Sequence, residues 1–317
     1  MTNQKNKIET MDMALQQNVE KDILIEIYRA GKIPNWRVLR SIIAHALRKP
    51  VSHFSSLIAN LDTIIGRDGI VASARYALTE LCRPADALGQ GNIPASGPLV
   101  IASNHPGTYD AFSIISNLPR DDVKLIVSGI PFFQNLPHAS QHFIFATHNT
   151  NDRTNVIRQS IRHLQAGGAL LIFPSGRIDP DPSVLPGAVD GLRRWSRSIE
   201  VFLRKVPQAN LVLTVASGVL SGKFIDHFIP RMFKNDHERR RITEFLQVIS
   251  QMVRREPLDL YPKVSFAEPL SAQIFQTGGR DEQSALVVDK ACQLLDLHLE
   301  SFYPQKGLRE AAFSSGL

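Results

Sequence analysis

Cysteine is almost absent: Cys82 and Cys292 are the only two, and they lie far apart. That excludes a disulfide scaffold as the source of stability. Long apolar runs are missing as well. The longest, at residues 169–174 and 211–216, fall far short of the roughly 20 residues that a membrane-spanning helix requires. No charged stretch followed by an apolar one opens the chain, so the expected setting is the reducing cytosol, with any membrane contact peripheral, at the inner surface. Internal repeats and low-complexity tracts are lacking too, which excludes collagen-like, mucin-like and prion-like chains. What is present is the composition of an ordinary soluble protein, 43% hydrophobic and 21% charged over 317 residues, enough to bury a sizeable core. The 36 Lys and Arg against 30 Asp and Glu leave a net charge of +6. Anionic partners are favoured, whether nucleic acid, phosphorylated small molecules or an anionic lipid surface.

Two regions are expected, 1–84 and 85–317. Residues 1 to about 20 are polar and read as a tail. Beyond them the spacing of Leu39, Ile42, Ile43 and Leu47, then of Phe54, Leu57, Ile58, Leu61 and Ile65, is helical, with Gly31, Pro34, Pro50, Gly66 and Gly69 dividing the segment into several helices. Arg37, Arg40, Arg48 and Lys49 lie beside that stripe. The segment is therefore either a helical subdomain packed on the core or a basic amphipathic surface for anionic lipid. From Pro84 onward short apolar runs recur at 99–102, 123–127, 143–145, 169–173, 211–216 and 264–266, each bounded by turn residues. Helical patterns separate or follow them at 154–166, 188–203, 236–255 and 281–302. Strands alternating with helices predict an α/β layered domain whose sheet is largely parallel and flanked by helices.

Strand ends are where such folds place their sites. After the run ending at Ala102 comes Asn104-His105-Pro106-Gly107-Thr108-Tyr109-Asp110. On an ideal helix His105 and Asp110 would splay apart by about 140°, so they can meet only across the turn that Pro106 and Gly107 supply. The pair is then a base with its orienting carboxylate, or else a loop histidine beside a helix-start carboxylate. After the run ending at Phe173 comes Pro174-Ser175-Gly176-Arg177. An Arg on such a loop suits a phosphate or carboxylate, which its planar fork grips with two hydrogen bonds; a surface ion pair is the alternative. The loop is neither a Walker phosphate loop nor a nucleophile elbow, since the required glycines and lysine are missing. His138, His142 and His148 have no Glu beside them as in a metalloprotease helix, and no metal site is expected.

Together these residues resemble the glycerolipid acyltransferase superfamily, the lysophosphatidic acid and glycerol-3-phosphate acyltransferases. Its first block, Asn-His with an Asp five positions after the His, is matched by Asn104, His105 and Asp110. The approach from Gly91 to Pro98 is similar to the lead-in. Its second block resembles Ile130-Pro131-Phe132-Phe133 followed by Phe143-Ile144-Phe145; His148 stands where an Arg would align, and Arg153 is the nearest Arg. Its third block, usually Phe-Pro-Glu-Gly-Thr-Arg, is matched at Phe173, Pro174 and Gly176, with Ser175 replacing the Glu and Arg177 one place early. The likeness runs over residues 88–272.

The resemblance implies transfer of a fatty acyl group from acyl-CoA or acyl carrier protein, as co-substrate, to a hydroxyl of glycerol-3-phosphate or a lysophospholipid. It implies no cofactor. His105 would be the general base, Asp110 its orienting partner, and Asn104, Arg153, Ser175, Gly176 and Arg177 would meet substrate, with the Gly176 amide near the oxyanion. Two rival readings remain. One is a lipid or thioester hydrolase with Ser175 as nucleophile. The other is a non-catalytic anionic-lipid binder using Arg231, Lys234, Arg239, Arg240 and Arg241, where the aromatic interleaving of nucleic-acid binding is missing.

Overall fold

The six apolar runs become strands. Among the residues that the computed structural model describes (2–31, 33–128, 131–146, 150–254, 256–277, 279–304 and 307), the strands are β1 (Asp86–Leu88), β2 (Leu99–Ser103), β3 (Val123–Ser128), β4 (Phe143–Ala146), β5 (Ala169–Ile172), β6 (Asn210–Ser217), β7 (Lys263–Phe266) and β8 (Leu270–Ser271). Their order across one sheet is β1-β7-β6-β2-β5-β3-β4, with β8 against β6. From β6 to β4 all neighbours are parallel, whereas β7 and β8 run antiparallel to β6. The two strands that the sequence pattern does not mark, β1 and β8, have two or three residues each, too few to show a period.

The helices are α1 (Thr2–Ala30), α2 (Arg37–Asp68), α3 (Ile70–Leu81), α4 (Asp110–Ile115), α5 (Thr150–Gln165), α6 (Ala188–Arg193), α7 (Ser198–Lys205), α8 (Gly222–Ile225), α9 (Phe228–Arg231), α10 (Asp236–Arg254) and α11 (Arg280–Phe302). They cover both faces of the sheet, which explains why the central strands read as continuous apolar runs. Leu99 and Ile101 of β2 face the layer holding Ile70, Val71 and Ala74 of α3 and Ile114 of α4. Val100 and Ala102 face the opposite layer, with Leu192 of α6, Phe202 of α7 and Leu295 of α11. The fold is thus a mixed α/β sandwich preceded by a helical segment.

Three expectations are corrected. The polar stretch read as a tail is part of α1, whose Val19, Ile23 and Ile27 are buried at four-residue spacing against Val51 and Ile58 of α2; the stripe starts inside that stretch and its period shows only when the partner helix is known. Pro50 does not end a helix but lies within α2. The bond and steric loss of an interior proline, about 3 kcal/mol, is offset by the packing of Val51, Ser55, Ile58, Ala59 and Asp62 on one face. Residues 188–203 are two helices because Ser196 N–H donates to Pro174 O at 3.0 Å, pulling the intervening backbone toward the Pro174 loop.

The Asp62 carboxylate of α2 accepts the backbone N–H groups of His138 and Ala139 at 3.0 and 2.7 Å. Gly66 lets the exposed His138 ring lie against α2, since a Cβ there would stand 2.7 Å from the ring and make it shift. No helix among the described residues is long and apolar enough to cross a membrane.

Candidate active site

Parallel pairing decides what meets at the strand ends. Ala102 of β2 is level with Ile172 of β5, and Ser103 with Thr214 of β6. The first residues beyond β2 and β5 therefore emerge side by side: Asn104 and His105 next to Phe173, Pro174 and Ser175. Asn104 is buried, and its amide pairs in both directions with the backbone of Ala216, each bond 2.8 Å. It ties the turn to β6, and its polar atoms are already engaged.

The Pro106–Gly107 turn brings the two candidate catalytic groups together. His105 Nδ1 lies 2.8 Å from Asp110 Oδ2, and the same oxygen accepts the Gly107 N–H at 3.1 Å. Asp110 is thus both the histidine's carboxylate and a helix-start acceptor, so the two sequence alternatives are one arrangement. Its side chain is fully buried, whereas 29% of His105 reaches solvent. With the carboxylate as acceptor, Nδ1 carries a proton, and it is Nε2 that holds the lone pair whenever the ring is neutral. Phe173 stacks on the imidazole at 4.4 Å and 24°.

Backbone and electrostatics are set by residues that the motif reading misses. Asp179 Oδ2 accepts the His105 N–H at 3.1 Å, and Asp179 N–H donates to His105 O at 2.7 Å. From α10, the Glu244 carboxylate accepts from Thr108 Oγ1. Burial pushes the His105 imidazole down, but the charge and hydrogen bond of Asp110, helped by Glu244 and Asp179, raise it overall to about 9. Burial pushes the Asp179 and Glu244 carboxyls above the usual carboxylate range. Two acidic residues two apart, Asp179 and Asp181, directly after the second motif are a signal that a reading of strand ends could have used. Glu244 had none, being 136 residues from Thr108.

The second loop is a tight turn with Gly176 at φ +63° and its N–H donating to Phe173 O at 3.0 Å. The expected oxyanion donor at Gly176 is thereby corrected, since that N–H is already engaged in the turn. Ser175 Oγ lies 2.9 Å from Arg177 O and 2.8 Å from Asp179 Oδ2. Both partners are acceptors for its single proton, and neither is the His105 ring. Arg177 is exposed. Around it stand Arg194, 3.9 Å from Asp179, and Arg240, whose Nε donates to Ile178 O at 3.1 Å. Burial, then the charges of Arg177, Arg240 and Arg241, push the nearby His237 imidazole down. Arg153 is exposed in the first turns of α5, after β4 and three strands from β2. Ile130 and His148 lie outside the described residues, as do the side chains of Pro131 and Phe132. His142 Nδ1 lies 2.9 Å from Val123 O. Among the described residues no three His, Cys, Asp or Glu side chains gather as a metal ion would need.

Behind the site, the fully buried Asp181 accepts the N–H groups of Gly218, Val219 and Leu220 at 2.9 to 3.0 Å together with the N–H and hydroxyl of Ser183. The carboxylate fixes the chain leaving β6 beside Gly107, where a Cβ would stand 3.7 Å from Val219.

Residues 86–198 match the family model described as Acyltransferase, a span that holds His105, Asp110 and the Arg177 loop. Among solved structures the chain is similar to the 1-acyl-sn-glycerophosphate (LPA) acyltransferase PlsC from Thermotoga maritima, at 12% identity over 92% of this chain and 96% of that one, with a TM-score of 0.45. No curated protein matches.

Proposed function

We propose that this chain, whose residues 86–198 match the acyltransferase family model, is a glycerolipid acyltransferase that transfers a fatty acyl group from acyl-CoA or acyl carrier protein to a hydroxyl of glycerol-3-phosphate or a lysophospholipid. One observation carries the mechanism: the 2.8 Å contact of His105 Nδ1 with a fully buried Asp110, on an imidazole whose side chain is partly open to solvent. An alcohol, with a pKa far above 7, attacks a thioester poorly. His105 Nε2 takes its proton as the C–O bond forms, which contributes about 10²- to 10⁴-fold. Asp110 holds Nδ1–H and stabilises the imidazolium. As the tetrahedral intermediate collapses, the C–S bond breaks and the imidazolium returns the proton to the leaving thiolate. Atoms and charge balance without a covalent acyl-enzyme.

The resting imidazole, raised to about 9, is mostly protonated at neutral pH. Substrate seated on its exposed edge removes the remaining water, and burial is the influence that drives it toward the neutral base. The acceptor's phosphate falls to the exposed fork of Arg177, with Arg194 and Arg240 adding positive potential. Arg153, in the first turns of α5 after β4, which is three strands from β2, would meet only the far end of a long substrate. The hydrolase reading is less well supported, because Ser175 Oγ bonds to Arg177 O and Asp179 rather than to His105.

The site works, on this reading, at an anionic membrane surface. Trp36, Val38 and Ile42 of the N-terminal segment are exposed beside Arg37, Arg48 and Lys49, whereas Leu47, Phe54 and Ile58 pack inward. Arg40 is taken by Ile33 O, Pro34 O and the Tyr28 ring.

The test is turnover of the purified chain with acyl-CoA and with acyl carrier protein thioesters against glycerol-3-phosphate and lysophospholipids. His105→Ala, folded by thermal melting, should lose transfer to every acceptor. An active His105→Ala protein, or acyl label trapped on Ser175, would overturn the mechanism.

A further inference from the structure

We propose that the segment between β6 and α10 is a membrane-docking surface that seats the mouth of the His105 site on an anionic bilayer. This rests on the lipid-forming reaction proposed above and deepens it.

Two large apolar side chains, Phe228 and Met232, are 67% and 75% exposed. Four residues apart on α9 and its last turn, they point the same way. Their exposure is built in: Phe224 and Pro230 are buried and root the segment, while the His227 ring lies 4.7 Å from that of Phe228 and its Nδ1 accepts the Ile229 N–H. An exposed apolar pair held on a rooted turn is an anchor in search of an apolar phase.

Charge identifies that phase as anionic lipid. Lys223, Arg231 and Lys234 are exposed around the pair. Across residues 222–241 there are six Lys and Arg against three Asp and Glu. Arg231 pairs with Asp226 at 3.0 Å, both well exposed, and Arg239 with Asp236 at 3.3 Å; such exposed pairs are weak and leave the surface basic. Basic residues around inserted apolar side chains are the pattern of an interfacial segment.

Position links the surface to the reaction. β6 is parallel to β2 and next to it, so the chain leaving Ser217 emerges on the same sheet edge as His105. α10, on which α8 and α9 pack, holds Thr108 through Glu244 and Ile178 O through Arg240. A bilayer resting on Phe228 and Met232 would thus lie on the side of the sheet where β2 and β6 end, the side that carries His105.

The full-length chain is sedimented with phosphatidylcholine vesicles of rising phosphatidylglycerol content, at low and raised salt. Binding should rise with phosphatidylglycerol and fall with salt. Phe228→Ser with Met232→Ser should weaken it about tenfold or more. Lys223→Gln with Lys234→Gln should lose about fivefold per cation. Both variants should melt like the parent and keep its turnover on a water-soluble acceptor with a short acyl-CoA, while KM for a vesicle-borne lysophospholipid rises. Parental vesicle binding in both variants would overturn the proposal, as would a dimer in light scattering that Phe228→Ser with Met232→Ser abolishes, which would assign the patch to a second copy. Vesicle binding needs no turnover. A protein that docks through this patch but transfers no acyl group would thus refute the reaction and not the surface.

Discussion

Asp110→Asn isolates what the buried carboxylate does. In the parent, burial opposes the imidazolium and Asp110 more than restores it, carrying His105 from 6.5 to about 9. That rise corresponds to roughly 3 kcal/mol in favour of the protonated ring. Two consequences follow with defined signs. A folded-state pKa raised above the unfolded value contributes stability that is fully present below pH 6.5 and is lost as pH rises through about 9. Urea unfolding should therefore show Asp110→Asn more destabilised at pH 6 than at pH 10, the gap narrowing by up to roughly 3 kcal/mol. In kinetics, kcat/KM of the parent should climb about tenfold per pH unit from 7 and level near 9, since it reports the free enzyme's base. With the charge gone, burial dominates: the climb should move to about 6.5 or below, and the plateau should drop by roughly 10²- to 10⁴-fold as the amide, a donor as well as an acceptor, no longer enforces the Nδ1–H tautomer. The variant should still exceed His105→Ala. An Asp110→Asn profile that still turns near pH 9, or a stability gap independent of pH, would refute the assignment of Asp110 as the group that raises His105.

Two further outcomes are expected. Arg177→Ala should raise KM for a phosphorylated acceptor by about ten- to a hundredfold, roughly 1.5 to 3 kcal/mol for a charge-assisted contact, and Arg177→Lys should recover only part because the fork is lost; an unchanged KM for every phosphorylated acceptor rejects the role. Asp181→Ala should destabilise the fold by about 3 kcal/mol or more, because the buried N–H groups of residues 218–220 lose their acceptor; denaturant unfolding at neutral pH measures it, and a loss under about 1 kcal/mol would mean that the loop re-pairs elsewhere.

Much of the architecture and half of the site were written locally. The central strands β2, β5 and β6 are legible because a strand buried on both faces is apolar along nearly all its length, and β3, β4 and β7 because they are short apolar runs bounded by turn residues. His105 and Asp110 were legible together because six residues and a Pro-Gly turn bring them into contact. The rest depended on distance along the chain. Pro50 looked like a helix end and residues 1 to 20 like a tail because the packing of α1 against α2 is invisible in either segment alone. Asn104 and Gly176 read as substrate ligands, yet their polar groups are engaged by Ala216 and Phe173 once β2 is laid beside β6 and the second loop closes on itself. Ser175 has the residue type of a nucleophile, but the turn aims its hydroxyl at Asp179 and Arg177 O. Glu244, Arg240 and Arg194 had no motif, for a charge on a helix reads as a solvated face until the sheet register and the path of α10 place it over a strand end. By itself the sequence determined the strands, the helices that cover them, and the histidine–aspartate pair, all of which follow from side-chain period and short-range chain geometry. Only the tertiary structure decided which charges surround that pair, because an electrostatic environment is a sum over neighbours in space, and those neighbours, Asp179 and Glu244, lie 74 residues away from His105 and farther along the chain.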